Sequence, residues 1–291
     1  MSVLCLIANP ADPALDSALV AAVLNEVGGE LNWLHQRIAC EIVKPKLPDA
    51  ATAARALVAA RPIDVALVPL AHRRKRLLVA DMDSTMIEEE CIDELADAVG
   101  IKAEIAAITA RAMNGELDFA QALRTRVALL KGLPLKRIEE VRREQITFAP
   151  GGRVLVQTMK THGAFTALVS GGFTFFADYF AKRIGFDEAM ANVLEFDGDR
   201  LAGTVAEPIV GKEAKLNRLE TLTAKLAIPA AATLAVGDGA NDLDMIRAAG
   251  LGVALHAKPV VAAEAQVRID HGDLTALLYL QGYSDDDFIH G

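Results

Sequence analysis

The chain has 291 residues, of which 52% are hydrophobic and 24% are charged, and its formal net charge is −9. A chain of this length suits two or three structural units, at a prior of about 150 residues for each. The acidic balance disfavours binding to a phosphate backbone as the main activity, so no nucleic-acid partner is expected.

Membrane insertion and secretion are not predicted either. No apolar run approaches the ~18 residues that a membrane-spanning helix needs. The first residues lack the basic segment and the long apolar core of a signal peptide, so we expect a cytoplasmic protein without a membrane partner. The three cysteines, Cys5, Cys40 and Cys91, are scattered without CxxC spacing, which predicts reduced, packed thiols rather than a zinc site.

Residues 1–70 predict a small α/β sandwich of βαββαβ outline. The expected elements are a strand over 3–8, a helix over 13–27, an extended stretch over 31–43, a helix over 50–60 and a strand over 65–70. The basic run HRRKR over 72–76 has two interpretations, an anion-binding patch and a solvated linker. We favour the linker because the whole chain is acidic, and we place a first unit at 1–72.

A short apolar strand over 77–80 leads directly into Asp81-Met82-Asp83-Ser84-Thr85. Side chains two residues apart in an extended segment share a face, so the carboxylates of Asp81 and Asp83 point the same way and repel each other. A divalent cation beside them would remove that repulsion. The alternative is a helix N-cap without chemistry, because Asp, Ser and Thr all cap helices well.

Residues 91–148 carry only helical signals. Apolar residues recur at helical spacing from Ile92 and again from Phe119, and Pro134 is placed to begin another helix. A long helical stretch that follows a strand predicts an inserted helical cap over 91–148.

The rest of the chain returns to alternating strands and helices. Strands are predicted over 166–169, 233–236 and 252–255, and Asp197-Gly198 marks a hairpin. This alternation predicts an α/β core, built from 76–90 and 149–291, with a doubly wound, mostly parallel sheet and helices on both faces.

Three of the predicted strands end in polar loops. Asp81 and Asp83 follow the first strand, Ser170-Gly171-Gly172 the second, and Gly237-Asp238-Gly239-Ala240-Asn241-Asp242 the third. Because ligands of open α/β sheets bind outside the carboxyl ends of the strands, these loops should meet. Asp81, Asp83 and Asp238 offer the hard oxygen ligands that Mg²⁺ prefers.

A phosphate dianion would fit beside such a metal. The Ser170 hydroxyl and the amides of Gly171 and Gly172, predicted at a helix start, can cradle it, and Lys215 can bring a positive charge. Each piece has a plainer interpretation, because Ser-Gly-Gly is often only a turn and a helical lysine usually faces water. Their joint occurrence, each after a strand and in this order, favours a phosphate site.

The order DxDST, SGG, helical lysine and GDGAND resembles the haloacid-dehalogenase-like hydrolase superfamily, and within it the phosphoserine phosphatase family, over residues 77–282. Supporting segments are the acidic turn over 88–94, the cap stretch over 113–134 and HAKP over 256–259. The resemblance implies a Rossmann-like core and Mg²⁺-dependent hydrolysis of O-phospho-L-serine, a small-molecule substrate, as the last step of serine biosynthesis.

The resemblance also implies a role for each matching residue. Asp81 would be the nucleophile that forms an aspartyl-phosphate, and Asp83 the acid/base, with its main-chain carbonyl on the metal. Asp81 and Asp238 would bind Mg²⁺ directly, and Asp242 would support the metal shell. Phosphate would be held by Ser170, Gly171, Lys215 and Asn241, with Lys212 as the alternative lysine. On the cap, the substrate ammonium and carboxylate would meet Glu90 and Arg126, and the lining would include Met113 and Phe119.

Other interpretations stay open at this point. A related cap-bearing phosphatase could act on another small phosphomonoester, and a signalling phospho-acceptor or an amino-acid-binding regulator with a decayed core would also carry acidic loops. Receiver domains lack a second aspartate two residues after the acceptor and lack a helical insertion of this size, so Asp83 and 91–148 favour catalysis. The outline of 1–72 resembles ACT-like regulatory domains, for which a structural role, a role in forming a homodimer and amino-acid sensing remain alternatives.

Overall fold

The structure is a computed structural model that describes residues 1–113 and 116–290, apart from the side chain of Met113. Its N-terminal part consists of β1 (Ser2–Ala8), α1 (Ser17–Val27), β2 (Glu30–His35), β3 (Ala39–Val43), α2 (Ala50–Val58) and β4 (Ile63–Pro69). The strands form an antiparallel sheet in the order β2-β3-β1-β4. The extended stretch predicted over 31–43 forms the two consecutive strands of the βαββαβ outline, and these pair because the chain reverses at Arg37, which has a φ of 63°.

Alternate side chains of β1 face opposite sides of this sheet, as they must in a strand. Leu4 and Leu6 pack among the apolar residues of α1 and α2. Val3 and Cys5 belong instead to the large apolar cluster of the rest of the chain. Both faces of the N-terminal sheet are therefore covered. Cys5, Cys40 and Cys91 are free and buried, as predicted.

The basic run over 72–76 is not a solvated linker throughout, and that prediction is wrong for Arg73 and Lys75. The Arg73 guanidinium lies 2.5 Å from the Glu41 carboxylate and donates to the main-chain oxygens of Tyr279 and Leu280. Lys75 is 6% exposed, and its ammonium donates to the carbonyl of Ala231 at 2.7 Å. Lys75 is buried and the Arg73 side chain is only 11% exposed, because each finds a partner from a distant part of the chain, which local composition does not show.

The remaining chain builds a second sheet, an inserted group of helices and a hairpin. In chain order the elements are β5 (Leu77–Ala80), α3 (Cys91–Asp97), α4 (Lys102–Met113), α5 (Phe119–Leu129), α6 (Leu135–Glu144), α7 (Gly152–Thr161), β6 (Phe165–Phe173), α8 (Thr174–Ile184), β7 (Glu188–Asn192), β8 (Leu194–Asp197), β9 (Arg200–Val205), α9 (Lys212–Lys225), β10 (Thr233–Gly237), α10 (Leu243–Ala248), β11 (Leu251–Leu255), α11 (Pro259–Ala262), β12 (Val267–Ile269) and α12 (Ala276–Leu280).

The second sheet has six parallel strands in the order β12-β11-β10-β5-β6-β7. Leu78 and Ala80 of β5 face a layer that contains α7, α8 and α12, whereas Leu77 and Val79 face a layer of α9 and α10. The predicted α/β fold with a doubly wound parallel sheet is therefore confirmed. Because β10, β5 and β6 are neighbours, their carboxyl ends meet at one edge.

Helices α3 to α6 lie between β5 and β6 in the sequence and stand over that edge. The predicted hairpin is present as β8 and β9. It packs against the helical group, where the main-chain nitrogen of Gly132, after α5, donates to the oxygen of Leu201 in β9 at 2.8 Å. The two segments that connect the helices to the sheet run side by side. The main-chain nitrogen of Glu88 donates to the oxygen of Thr147, and that of Ala149 donates to the oxygen of Met86. None of the helices in the described residues is long and apolar enough to cross a membrane.

Candidate active site

The two aspartates that follow β5 lie in different surroundings. Asp81 is 5% exposed, and its Oδ1 lies 2.7 Å from the Nζ of Lys215. Asp83 accepts hydrogen bonds from the main-chain nitrogen of Cys91 at 2.9 Å and from the Ser170 hydroxyl at 3.0 Å. Asp83 therefore stabilises the first turn of α3 and also faces the end of β6, so the capping interpretation of this motif describes part of what it does.

Lys215 lies between two carboxylates in the interior of the protein. Its Nζ is 2.7 Å from Asp81 Oδ1 and 2.7 Å from Asp242 Oδ1, and its side chain is fully buried. Burial lowers the pKa of Lys215, but the two carboxylates outweigh that effect and hold the pKa above its ordinary value. Lys215 is therefore a charged ammonium. The alternative lysine, Lys212, is 60% exposed at its side chain and lies 4.0 Å from Asp244.

Three carboxylates form a cluster at the ends of β5 and β10. Oxygens of Asp81, Asp238 and Asp242 all lie within 4.8 Å of one another. Burial raises the pKa of Asp81, and the neighbouring Asp242 charge raises it further. Burial also raises the pKa of Asp238 to about 6. One buried ammonium does not balance three carboxylates, so these oxygens suit a divalent cation that prefers oxygen ligands.

The Ser170-Gly171-Gly172 segment differs from its prediction in one respect. The strand β6 does not end before it but continues to Phe173, with an irregular register after Val169. Helix α8 begins only at Thr174, so the two glycine amides do not lie in its first turn. The Ser170 hydroxyl orders the segment, because it accepts from the Gly172 nitrogen at 2.8 Å while it donates to Asp83.

A cavity of about 680 Å³ separates these loops from the helices above them. The predicted site residues that line it are Asp81, Asp83, Glu90, Phe119, Arg126, Gly171, Asp238 and Asn241. Ser170, Lys215 and Asp242 are buried at its base. The side chain of Met113 lies outside the described residues.

The helical side of the cavity carries one acidic and one basic side chain, Glu90 and Arg126. Glu90 accepts from the Ser84 hydroxyl at 3.0 Å, and desolvation by the surrounding protein raises its pKa to about 7. Arg126 lines the same cavity, and its Nε donates to the Ala122 oxygen at 3.3 Å. Burial lowers the pKa of Arg126, while the carboxylates of Asp93, Glu90 and Asp83 act in the opposite direction.

Sequence reasoning missed two contributors to this site. Ser84 has a φ of 53°, and this left-handed conformation accompanies its hydrogen bond to Glu90. The Lys258 Nζ lies 3.8 Å from Asp238 Oδ2 and faces the cavity. Lys258 stands in the HAKP segment, which could have drawn attention to it, but no spacing rule connects that segment to Asp238.

The profile of the haloacid dehalogenase-like hydrolase family matches residues 78–247. A phosphoserine phosphatase from Streptomyces coelicolor is 44% identical over 238 residues, which cover 81% of this chain and 58% of that protein. The chain therefore spans little more than half the length of that relative.

Two solved structures have the same fold. A haloacid dehalogenase (HAD) family hydrolase from Salmonella enterica serovar Typhi is 31% identical with a TM-score of 0.83, and the match covers 96% of this chain and 98% of that one. A phospho-aspartyl intermediate analogue of phosphoserine phosphatase is 38% identical with a TM-score of 0.66, over 71% of this chain and 98% of that one. With a family profile that spans more than half of its residues, this chain belongs to the haloacid dehalogenase-like hydrolases.

Proposed function

We propose that this chain is a Mg²⁺-dependent phosphatase that hydrolyses O-phospho-L-serine to L-serine and phosphate. The observation that carries the proposal is the cavity itself. At its base lie the ion pair of Asp81 with Lys215 and the Asp83–Ser170 hydrogen bond, and its opposite wall carries Glu90 and Arg126. The naming of the Streptomyces coelicolor relative as a phosphoserine phosphatase supports the substrate.

In the first half of the reaction, a carboxylate oxygen of Asp81 bonds to phosphorus while the bond from phosphorus to the seryl oxygen breaks. Asp83 gives its proton to that leaving oxygen, and its bond from Ser170 holds it in place. An anionic nucleophile approaches an anionic phosphate, so the positive charge of Lys215 and the amide of Gly171 would reduce the repulsion.

In the second half, Asp83 takes a proton from water, and the oxygen of that water bonds to phosphorus as the bond to Asp81 breaks. Free phosphate and the original carboxylate result. When bound, Mg²⁺ supplies further positive charge against the phosphate oxygens. Asp81 and Asp238 would hold it, supported by Asp242 and by the main-chain carbonyl of Asp83.

The cap residues would select the amino-acid part of the substrate. An ionised Glu90 suits the ammonium group, and the planar guanidinium of Arg126 suits the carboxylate because it can donate two parallel hydrogen bonds. Phe119 would close the apolar side, with Asn241 and Gly171 against the phosphate. Helices α3, α4 and α5 line the cavity on the cap side, and their closure over a bound substrate would keep bulk water away from the reacting atoms.

The test is phosphate release from L-phosphoserine, L-phosphothreonine, D-phosphoserine and an aryl phosphate, each with Mg²⁺ and with a chelator. We expect L-phosphoserine to be the best substrate and the chelator to abolish turnover. Asp81→Asn serves as the control for contaminating phosphatases, since an amide cannot attack phosphorus. Equal rates on all four compounds would exclude the specific substrate, and activity in the chelator would exclude the metal.

Two further expectations remain predictions. One is the division of the chain into an ACT-like unit at 1–72, a core at 76–90 and 149–291 and a cap at 91–148. The other is a homodimer formed through the N-terminal unit, for which sedimentation of the full chain is the direct measurement.

A further inference from the structure

A buried asparagine at the end of β7 binds the main chain of two separate segments. Asn192 is 1% exposed, and its side-chain nitrogen donates to the carbonyl oxygens of Gly171 at 2.8 Å and of Val210 at 3.2 Å. Its side-chain oxygen accepts from the main-chain nitrogen of Val210 at 2.7 Å. Both hydrogens and the oxygen of the amide are used, so its orientation is determined by its partners.

The two segments joined in this way carry the groups assigned to phosphate. Gly171 lies in the irregular end of β6, next to the Ser170 hydroxyl. Val210 precedes Gly211, the N-cap of α9, whose carbonyl accepts from the nitrogen of Lys215 one turn later. Asn192 therefore sets the distance between the Gly171 loop and the lysine, although its own side chain forms no hydrogen bond to Asp81, Lys215 or Asp242.

The same two segments also support the cap. A Cβ atom added at Gly171 would lie 3.0 Å from Cζ of Phe119, and one added at Gly211 would lie 3.3 Å from Cδ1 of the same ring. The ring at the start of α5 thus rests on both glycines. If the two segments moved apart, the surface on which the cap closes would change with them.

We propose that Asn192 is a positioning residue for the phosphate group of the substrate, acting through Gly171 and Val210. The inference rests on the proposed function, because that function assigns the phosphate to the Ser170–Gly172 loop. Asn192→Asp is the sharpest probe. It keeps the shape of the side chain but turns the donating nitrogen into an oxygen that faces two carbonyl oxygens, so two hydrogen bonds become repulsive contacts.

The matched control is Asp187→Asn, the reverse exchange at the residue that directly precedes β7. Asp187 accepts from the main-chain nitrogen of Thr166 at 2.9 Å and from its hydroxyl at 3.1 Å, at the edge of the sheet away from the site. The full chain with Mg²⁺ is titrated with inorganic phosphate in a calorimeter, and the thermal midpoint of each variant is recorded. We expect Asn192→Asp to raise the dissociation constant for phosphate at least ~10-fold, and Asp187→Asn to change it less than ~2-fold whatever its midpoint.

If Asn192→Asp folds and its dissociation constant for phosphate stays within ~2-fold of the wild-type value, the proposal is overturned. If this variant does not fold, Asn192→Ala replaces it, because the smaller side chain leaves room for a water molecule. If the dissociation constant for phosphate is unchanged in Asn192→Ala, or if neither variant folds, the positioning role is refuted. A wild-type chain that binds phosphate but hydrolyses no phosphomonoester refutes the proposed function instead, and the comparison of the variants still stands.

Discussion

Removal of the Lys215 charge tests the electrostatics of the site most directly. Its ammonium is fully buried and lies 2.7 Å from a carboxylate oxygen of both Asp81 and Asp242. Lys215→Met keeps most of the apolar stem of the side chain but leaves two buried carboxylates without their partner. Loss of one member of a buried ion pair is far more costly than loss of an exposed pair, because the remaining charge has no water around it.

The magnitude follows from this burial. Breaking a buried pair by removing one partner costs about 3–5 kcal/mol of unfolding free energy. Lys212→Met is the matched control, because it lies one turn earlier on α9 with a side chain that is 60% exposed. A surface substitution of that kind changes stability by about 0.5 kcal/mol or less. We therefore expect Lys215→Met to lose at least about 2.5 kcal/mol more than Lys212→Met.

The assay is urea unfolding of the full chain in a chelator, so that no metal replaces the missing charge. Added Mg²⁺ should restore part of the loss, since a bound cation stabilises the folded state. The double variant Asp81→Asn with Lys215→Met should lose less than the sum of the two single variants, because one unpaired carboxylate is gone. A Lys215→Met chain whose unfolding free energy lies within about 1 kcal/mol of that of Lys212→Met would contradict the expected cost of the unpaired carboxylates.

The remaining predictions concern the cavity. The pKa of Glu90 is raised to about 7, and only its ionised form attracts an ammonium. The ratio of kcat/KM for phosphoserine to kcat/KM for an aryl phosphate should therefore fall as the pH drops below that value. If this ratio still depended on pH in Glu90→Gln, the dependence would not come from Glu90. Arg126→Ala should lower kcat/KM at least ~100-fold on phosphoserine but less than ~10-fold on the aryl phosphate, and equal losses would remove its role toward the carboxylate. In Gly172→Ala the new Cβ would lie 2.7 Å from Asp83 Oδ2 and 3.0 Å from Ser170 Oγ, so their hydrogen bond should break. That variant should lose ~10- to 100-fold in kcat with little change in KM, and an unchanged kcat would show that the bond is not needed.

Local patterns were sufficient to predict the main fold. The apolar run over 77–80 and the polar residues that follow it predicted β5 and its acidic end, and the later strands were predicted in the same way. Because parallel strands place their carboxyl ends at one edge, the order of the motifs was enough to bring Asp81, Ser170 and Asp238 near one another. The hairpin at Asp197-Gly198 was equally local, since two turn residues specify it.

Partners within the site were decided by the tertiary structure. Asp81 and Asp83 share one strand end, yet one meets Lys215 and the other meets Ser170 and Cys91. Periodicity specifies which face a side chain lies on, but it does not specify which distant residue stands opposite.

The strands, the inserted helices and the acidic loops follow from the amino-acid sequence alone, because each depends on neighbours within a few residues. The burial of Lys75 and the hydrogen bonds by which Asn192 joins two loops depend instead on partners from other parts of the chain, which only folding brings together. Burial of a charged or polar side chain is favourable only when such a partner is present, and that partner is found by folding rather than by sequence spacing.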